Sequence, residues 1–289
     1  MTSQNPELES KSNGSAEGNI LPSSLAQVWI ITRYEIRNYF RSRRFLILLV
    51  ITFLITGVFT IALAYLRAPR TNATSVQALS FYEFWWQFVP DIIVVFCAVF
   101  FGGDAISGEF QNKTGYFLVG NPIRRSSIYI GKFLASLIAS VMIIALFTAF
   151  AIGNGLFYLG AVVPVQFVEA ILFSLVYLVA GLGFTYLFSS LFKSGTLSSI
   201  VTFILLILGF SLIDSLVSFY KTEPWFSLGY ASSIIANVFI VPYPDHIITL
   251  PDGSASYTAT IPEGLAIMMA YFLATILLGL FLFERKEFN

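Results

Sequence analysis

Six runs of this chain are long, apolar and nearly free of charge, and they restrict its folding more than any other feature. Residues 45–66, 84–103, 131–157, 165–191, 196–219 and 261–283 are each at least twenty residues long and hold at most one charged side chain apiece. About 20 apolar residues in a helix cross the roughly 30 Å hydrocarbon core of a bilayer. Within lipid every backbone N–H and C=O must be satisfied inside the segment, which for isolated runs of this length means a helix. The expected fold is therefore an all-α polytopic membrane protein with six transmembrane helices. Only 11% of residues are charged, where soluble domains carry about 25%. A net charge of zero argues against a nucleic-acid partner. The single cysteine, Cys97, excludes an internal disulfide and reads as a small apolar filler. The single histidine, His246, excludes a multi-histidine metal centre and reads as a surface residue, so no metal site is expected.

Lysine and arginine placement sets the expected orientation. With the N-terminus inside, 13 of the 16 bases face the cytoplasm, and Arg67, Arg70 and Lys221 fall outside. Both termini of this multi-pass cell-membrane protein are then cytoplasmic. Residues 1–24 lack the positive-then-apolar order of a signal peptide and read as a disordered cytosolic tail. Residues 25–289 read as one transmembrane domain. Within its external segment, 220–260, the stretch WFSLGYASSIIANVFIV (225–241) is too interrupted for a seventh span. It is expected to form a re-entrant or interfacial helix buried against other helices. HIITLPDGSASYTATI then reads as a small hairpin about a Pro-Asp-Gly-Ser turn.

Ahead of the first span, LAQVWIITRYEIRNYFRSRR places Leu25, Val28, Trp29, Ile36, Tyr39 and Phe40 at helical spacing, with Arg33, Arg37, Arg41 and Arg44 on another face. Such a helix lies flat among lipid headgroups. It serves either as an anchor alone or also as a surface for a cytosolic partner.

Between spans two and three the chain reads DAISGEFQNKTGYFLVGNPIRRSSIYIGK, far longer than a tight turn requires. Residues 109–119 suit a short helix, which Gly120-Asn121-Pro122 ends. The segment resembles the signature of the type 2 ABC exporter permease family: Ser107-Gly108-Glu109, Thr114, Pro122, Arg125, then Gly131-Lys132. It is most similar to the branch of permeases linked to copper-enzyme maturation and drug export, and the likeness extends to the whole layout of spans. Lys113 stands where a glycine usually precedes the threonine. The resemblance implies that residues 104–130 carry a cytoplasmic coupling helix held by a separate ABC ATPase subunit, and that a second permease copy, identical or related, completes a dimer. The residues implied in coupling are Ser107, Gly108, Glu109, Phe110, Thr114, Tyr116, Phe117, Pro122 and Arg125. The chain has no G-x-x-x-x-G-K-[ST] phosphate loop, so it is not expected to be an enzyme or to bind a cofactor. ATP and Mg would belong to the partner.

Three acids, Asp91, Glu169 and Asp214, are expected in the outer third of their spans. Intramembrane carboxylates are functional candidates; here they either line an outer vestibule for cationic or polar cargo, or snorkel and pair with Arg67, Arg70 or backbone amides. A proton- or ion-coupled secondary transporter using Asp91 and Asp214 is the alternative function. Trp85 and Trp86 read as interfacial aromatics at the outer mouth of span two. Gly181 and Gly183, with Ser189 and Ser190, suit close helix packing in span four. Asn72-Ala73-Thr74 matches a glycosylation triplet.

Overall fold

The computed structural model describes residues 23–65, 74–111, 124–160, 163–249 and 255–286. The first helix, α1 (Ser24–Arg41), is capped by Ser23, whose hydroxyl accepts from the Ala26 N–H. Six further helices are long and apolar enough to cross a membrane: α2 (Arg43–Tyr65), α3 (Ser75–Gln111), α4 (Arg125–Leu159), α5 (Val165–Leu191), α6 (Gly195–Phe219) and, after two short turns of helix, α9 (Ile261–Arg285). The short pieces are α7 (Leu228–Ser232) and α8 (Ile234–Asn237). At about 1.5 Å per residue, α4 is roughly 52 Å long, well beyond a bilayer's hydrocarbon core. Its first turns therefore stand free to pack against α1.

Helix α3 is the centre of the bundle. Of its most apolar stretch 72% is buried, against 17% for each of α2, α6 and α9, whose outward faces carry rows of exposed Leu, Ile, Val and Phe. α5 pairs with α9 in the most extensive helix contact, and α1 lies along α4. The expected close packing of span four is present. Gly183 faces Phe272 and Thr275 of α9, and Gly181 faces Ala98 of α3.

Two differences from the expected layout have a common origin in α3. It starts at Ser75, nine residues before the expected span, because Thr74 and Gln77 form a capping box there. Trp85 and Trp86 are consequently inside the bundle rather than at its mouth. Both are fully buried, packed on Phe147, and the Trp86 indole N–H donates to Ser174 Oγ at 2.9 Å. The helix also continues past residue 103 to Gln111, after a turn at residues 103–106, so the start of the expected coupling segment is part of α3. Residues 225–241 form α7 and α8 instead of one helix. Leu228, Ala231, Ile234 and Ile235 are fully buried there, with α7 against α6 and α9 and α8 against α5. The hairpin forms from β1 (Ile247–Thr249) and β2 (Ala255–Tyr257), antiparallel with Ile248 opposite Ser256.

Candidate functional site

Two places gather the chemistry-bearing residues, one at the Gln111 end of α3 and one beside its middle. The first is the turn at residues 103–106. Helical hydrogen bonding lapses there, leaving carbonyls before it and N–H groups after it in need of partners. The Phe101 carbonyl accepts from Tyr39 OH on α1 and Ser136 Oγ on α4, both at 2.9 Å, and Ser136 also contacts Tyr186 OH at 2.7 Å. Burial pushes the Tyr39 phenol up to about 12, so it stays a hydrogen-bond donor. On the other side of the turn, Ser189 Oγ of α5 accepts from the N–H groups of both Ile106 and Ser107 at 3.0 Å.

Charge reinforces this junction. Lys132 is buried, its Nζ 2.6 Å from Glu35 Oε1 on α1 and 2.7 Å from Glu109 Oε1 on α3. Arg44 at the start of α2 pairs with Asp104. The Gln111 side-chain carbonyl accepts from the Gly195 N–H at 2.8 Å, tying the end of α3 to the start of α6. Residues 104–111 are thus bonded to α2, α4, α5 and α6, and through Lys132 to α1. Gly131 makes this possible. A Cβ there would lie 2.8 Å from Ile31 Cγ2 and 3.1 Å from the Val28 carbonyl, so only glycine lets α1 approach this closely.

The sequence-expected coupling residues divide accordingly. Ser107, Gly108, Glu109 and Phe110 lie in this junction; Phe110 meets Phe283 edge-on and sits under Lys286 Nζ at 4.3 Å. Arg125 donates to the carbonyls of Glu284 and Lys286, closing the end of α9 onto the start of α4. Thr114, Tyr116, Phe117 and Pro122 lie outside the described residues, as do Arg67, Arg70, Asn72 and residues 1–22. On α1, Trp29, Arg33, Arg37 and Arg41 are exposed, and the face turned to α4 is instead Gln27, Thr32 and Glu35. Arg44 belongs to α2, not to the arginine stripe of α1. Glu35 and Tyr39 were missed as junction residues. Glu35 sits four residues after Ile31 at helical spacing, a charge beside the apolar positions, but nothing in the sequence pairs it with Lys132.

The second place is a cavity of ≈ 340 Å³ beside the middle of α3, where Gln87, Pro90 and Asp91 line it. Asp91 and Asp214 both line it, together with Tyr177, Ser211, Gly229 and Ser232. Asp91 follows Pro90, which has no N–H to donate, and residues Val89–Val94 form a π-helical stretch. A second π stretch, Leu205–Gly209, precedes Asp214 on α6. The Oδ1 atom of Asp214 is buried without a hydrogen-bond partner among the described residues. Gly229 brings α7 against it, since a Cβ there would lie 2.5 Å from Asp214 Oδ2. Glu169 is half-buried on α5 and is absent from the cavity lining. The contribution of Tyr177 and of residues 229–236 to this wall was not legible, because it depends on how α5 and α7 pack.

The bundle and these two sites define a polytopic helical membrane protein with a stitched junction at one end of a central helix and a carboxylate-lined cavity beside its middle. No curated protein matches the chain. The family described as ABC-2 family transporter protein matches residues 29–288, so the chain belongs to that family of ABC transporter permeases.

Proposed function

We propose that the chain is the permease subunit of an ATP-driven exporter, that it works as a dimer with a second permease copy, and that a separate ATPase drives it through residues 104–130. One observation carries the coupling role: residues 104–111 are bonded to α2, α4, α5 and α6, and through Lys132 to α1. A push on this segment reaches five helices without passing through a flexible loop. The bases Arg44, Arg125, Lys132 and Lys286 gather at this end, which supports a cytoplasmic location for it and for both termini. Arg33, Arg37 and Arg41 on the exposed side of α1 would rest on lipid phosphates. ATP and Mg would bind the partner, and this chain would bind neither. Asp91 and Asp214 would receive cationic or polar cargo.

The test is purification in mild detergent with identification of co-eluting chains and an ATPase assay. Phe117→Ala and Tyr116→Ala should lose the ATPase subunit. Glu109→Gln should retain it but lose stimulation of ATP hydrolysis by the permease. A chain that elutes alone and transports cargo without nucleotide would overturn the reading. It would favour the ion-coupled carrier, whose basis is the meeting of Asp91 and Asp214 in one cavity.

A further inference from the structure

Three side chains with no part in either site meet at the end of the bundle remote from residues 104–111. Glu223 follows α6, His246 precedes β1, and Glu263 lies in the first turn of α9. One ligand-capable atom from each lies within 4.8 Å of the others. His246 Nε2 is 3.4 Å from Glu223 Oε2, and Nδ1 is 4.0 Å from Glu263 Oε2.

His246 and Glu223 are oriented from behind, and Glu263 is held through Oε2, the oxygen that faces the histidine. His246 Nδ1 lies 2.9 Å from the Thr258 carbonyl oxygen. A carbonyl only accepts, so Nδ1 carries the hydrogen and the neutral ring keeps its lone pair on Nε2. That lone pair faces a carboxylate oxygen, which is repulsive unless a proton or a cation lies between them. Tyr230 OH donates to Glu223 Oε1 at 2.8 Å, leaving Oε2 turned to the histidine. Glu263 is fixed by the capping box, where it accepts from the Thr260 N–H at 3.3 Å. Outer partners of this kind, above all an imidazole N–H on a backbone carbonyl, are what orient metal ligands. The Thr258 carbonyl and then the two carboxylates raise the His246 pKa, against the opposing effect of burial; the same field attracts any cation.

We propose that Glu223, His246 and Glu263 form a binding site for a divalent transition-metal cation of the zinc type. One imidazole with two carboxylates suits zinc, at bonds of about 2.0–2.2 Å; two ligands of a tetrahedral ion are then about 3.4 Å apart. The Nε2–Oε2 separation is 3.4 Å. Magnesium, which prefers oxygen ligands and holds its water, suits the site poorly. A bound ion would clasp the segment after α6, the base of the hairpin and the start of α9, so its removal would loosen this end while leaving the junction at residues 104–111 unchanged.

The test uses the full chain, purified through a tag that contains no histidine and stripped with chelator. His246 is the only histidine, so selective ¹⁵N-histidine labelling gives a single imidazole to observe. Zinc should shift its Nε2 resonance, bind one ion per chain by calorimetry and raise the Tm. Magnesium should do none of these. Cobalt(II) should give the intense visible bands of a tetrahedral site. His246→Gln and Glu223→Gln should each weaken zinc binding at least tenfold, and Glu169→Gln should leave it unchanged. An unshifted imidazole in the wild-type chain, or zinc binding insensitive to both variants, would overturn the site and leave a protonated histidine between two carboxylates.

Discussion

At the Gln111 end of α3 a lysine is closed in by two carboxylates; beside its middle, two carboxylates line a cavity whose walls, among the described residues, include no lysine or arginine. The junction shields its acids from water, whereas at the cavity Asp91 is exposed and Asp214 half-buried. At the junction the charges answer one another: the side chains of Lys132, Glu35 and Glu109 are only 8%, 15% and 16% exposed and lie within 2.7 Å of their partners. In the cavity Asp91 and Asp214 have Tyr177 and serine hydroxyls for neighbours, and Asp214 Oδ1 has no partner. A closed set of charges fixes geometry, whereas an open one leaves electrostatic demand that a mobile ligand can meet. The two sites therefore suit the two tasks proposed for them, passing motion and receiving cargo.

The largest effect should come from opening the closed set. Lys132→Met leaves two buried carboxylates without a cation and should cost about 3–5 kcal/mol of stability, measured by chemical unfolding in detergent. Adding Glu35→Gln and Glu109→Gln to that variant should restore most of the loss, because the buried charges are then gone. If Lys132→Met changes stability no more than a surface substitution, the junction is solvated and the contrast between the two sites disappears. Next in size is Ser189→Ala. It strips the acceptor from the Ile106 and Ser107 N–H groups, and leaving a buried donor unpaired costs about 1–3 kcal/mol. Hydrogen exchange at those two amides should rise with it, while amides around Asp214 keep their protection.

The sequence carried the two sites unequally. The six spans were legible because uncharged runs of this length have few alternatives in lipid, and Gly131-Lys132 and Ser107-Gly108-Glu109 stood out against them. The hairpin was legible for a different reason: turn residues between two β-rich runs. What could not be read was pairing across distance. Glu35 and Lys132 are 97 residues apart, and their meeting depends on α1 approaching Gly131. Trp85 and Trp86 were misplaced for a local reason, since the capping box at Thr74 and Gln77 starts α3 earlier than hydropathy alone indicates. Asp91 and Asp214 were singled out as charges in apolar runs. Their shared cavity depends further on α7 turning inward at Gly229, and Glu169 shows that an acid in a span at similar depth need not join it.

The cavity sharpens the comparison through smaller effects. Gly229→Ala places a methyl group against Asp214 and Phe210; overpacking of this kind costs about 1–3 kcal/mol. The value should fall at the low end because the contact on one side is a carboxylate bordering open space. Transport should suffer more than stability does.

Smallest of all in stability, and most decisive, is Asp214→Asn. If the open carboxylate were a structural ion-pair partner, as Glu35 and Glu109 are, its neutralisation would destabilise the protein by several kcal/mol. Oδ1 is unpartnered and the amide loses no ion pair, only charge on its hydrogen bonds with Ser227 and the Tyr230 backbone, so the change in stability should stay below about 1 kcal/mol, the net worth of one ordinary hydrogen bond. Uptake of a cationic cargo into vesicles carrying the permease and its ATPase should nevertheless fall, and the double variant with Asp91→Asn should fall further. Glu169→Gln should alter neither quantity. A stable Asp214→Asn protein with undiminished transport would leave the cavity without a role for its acids, and a protein unfolded by that one change would make the two sites alike.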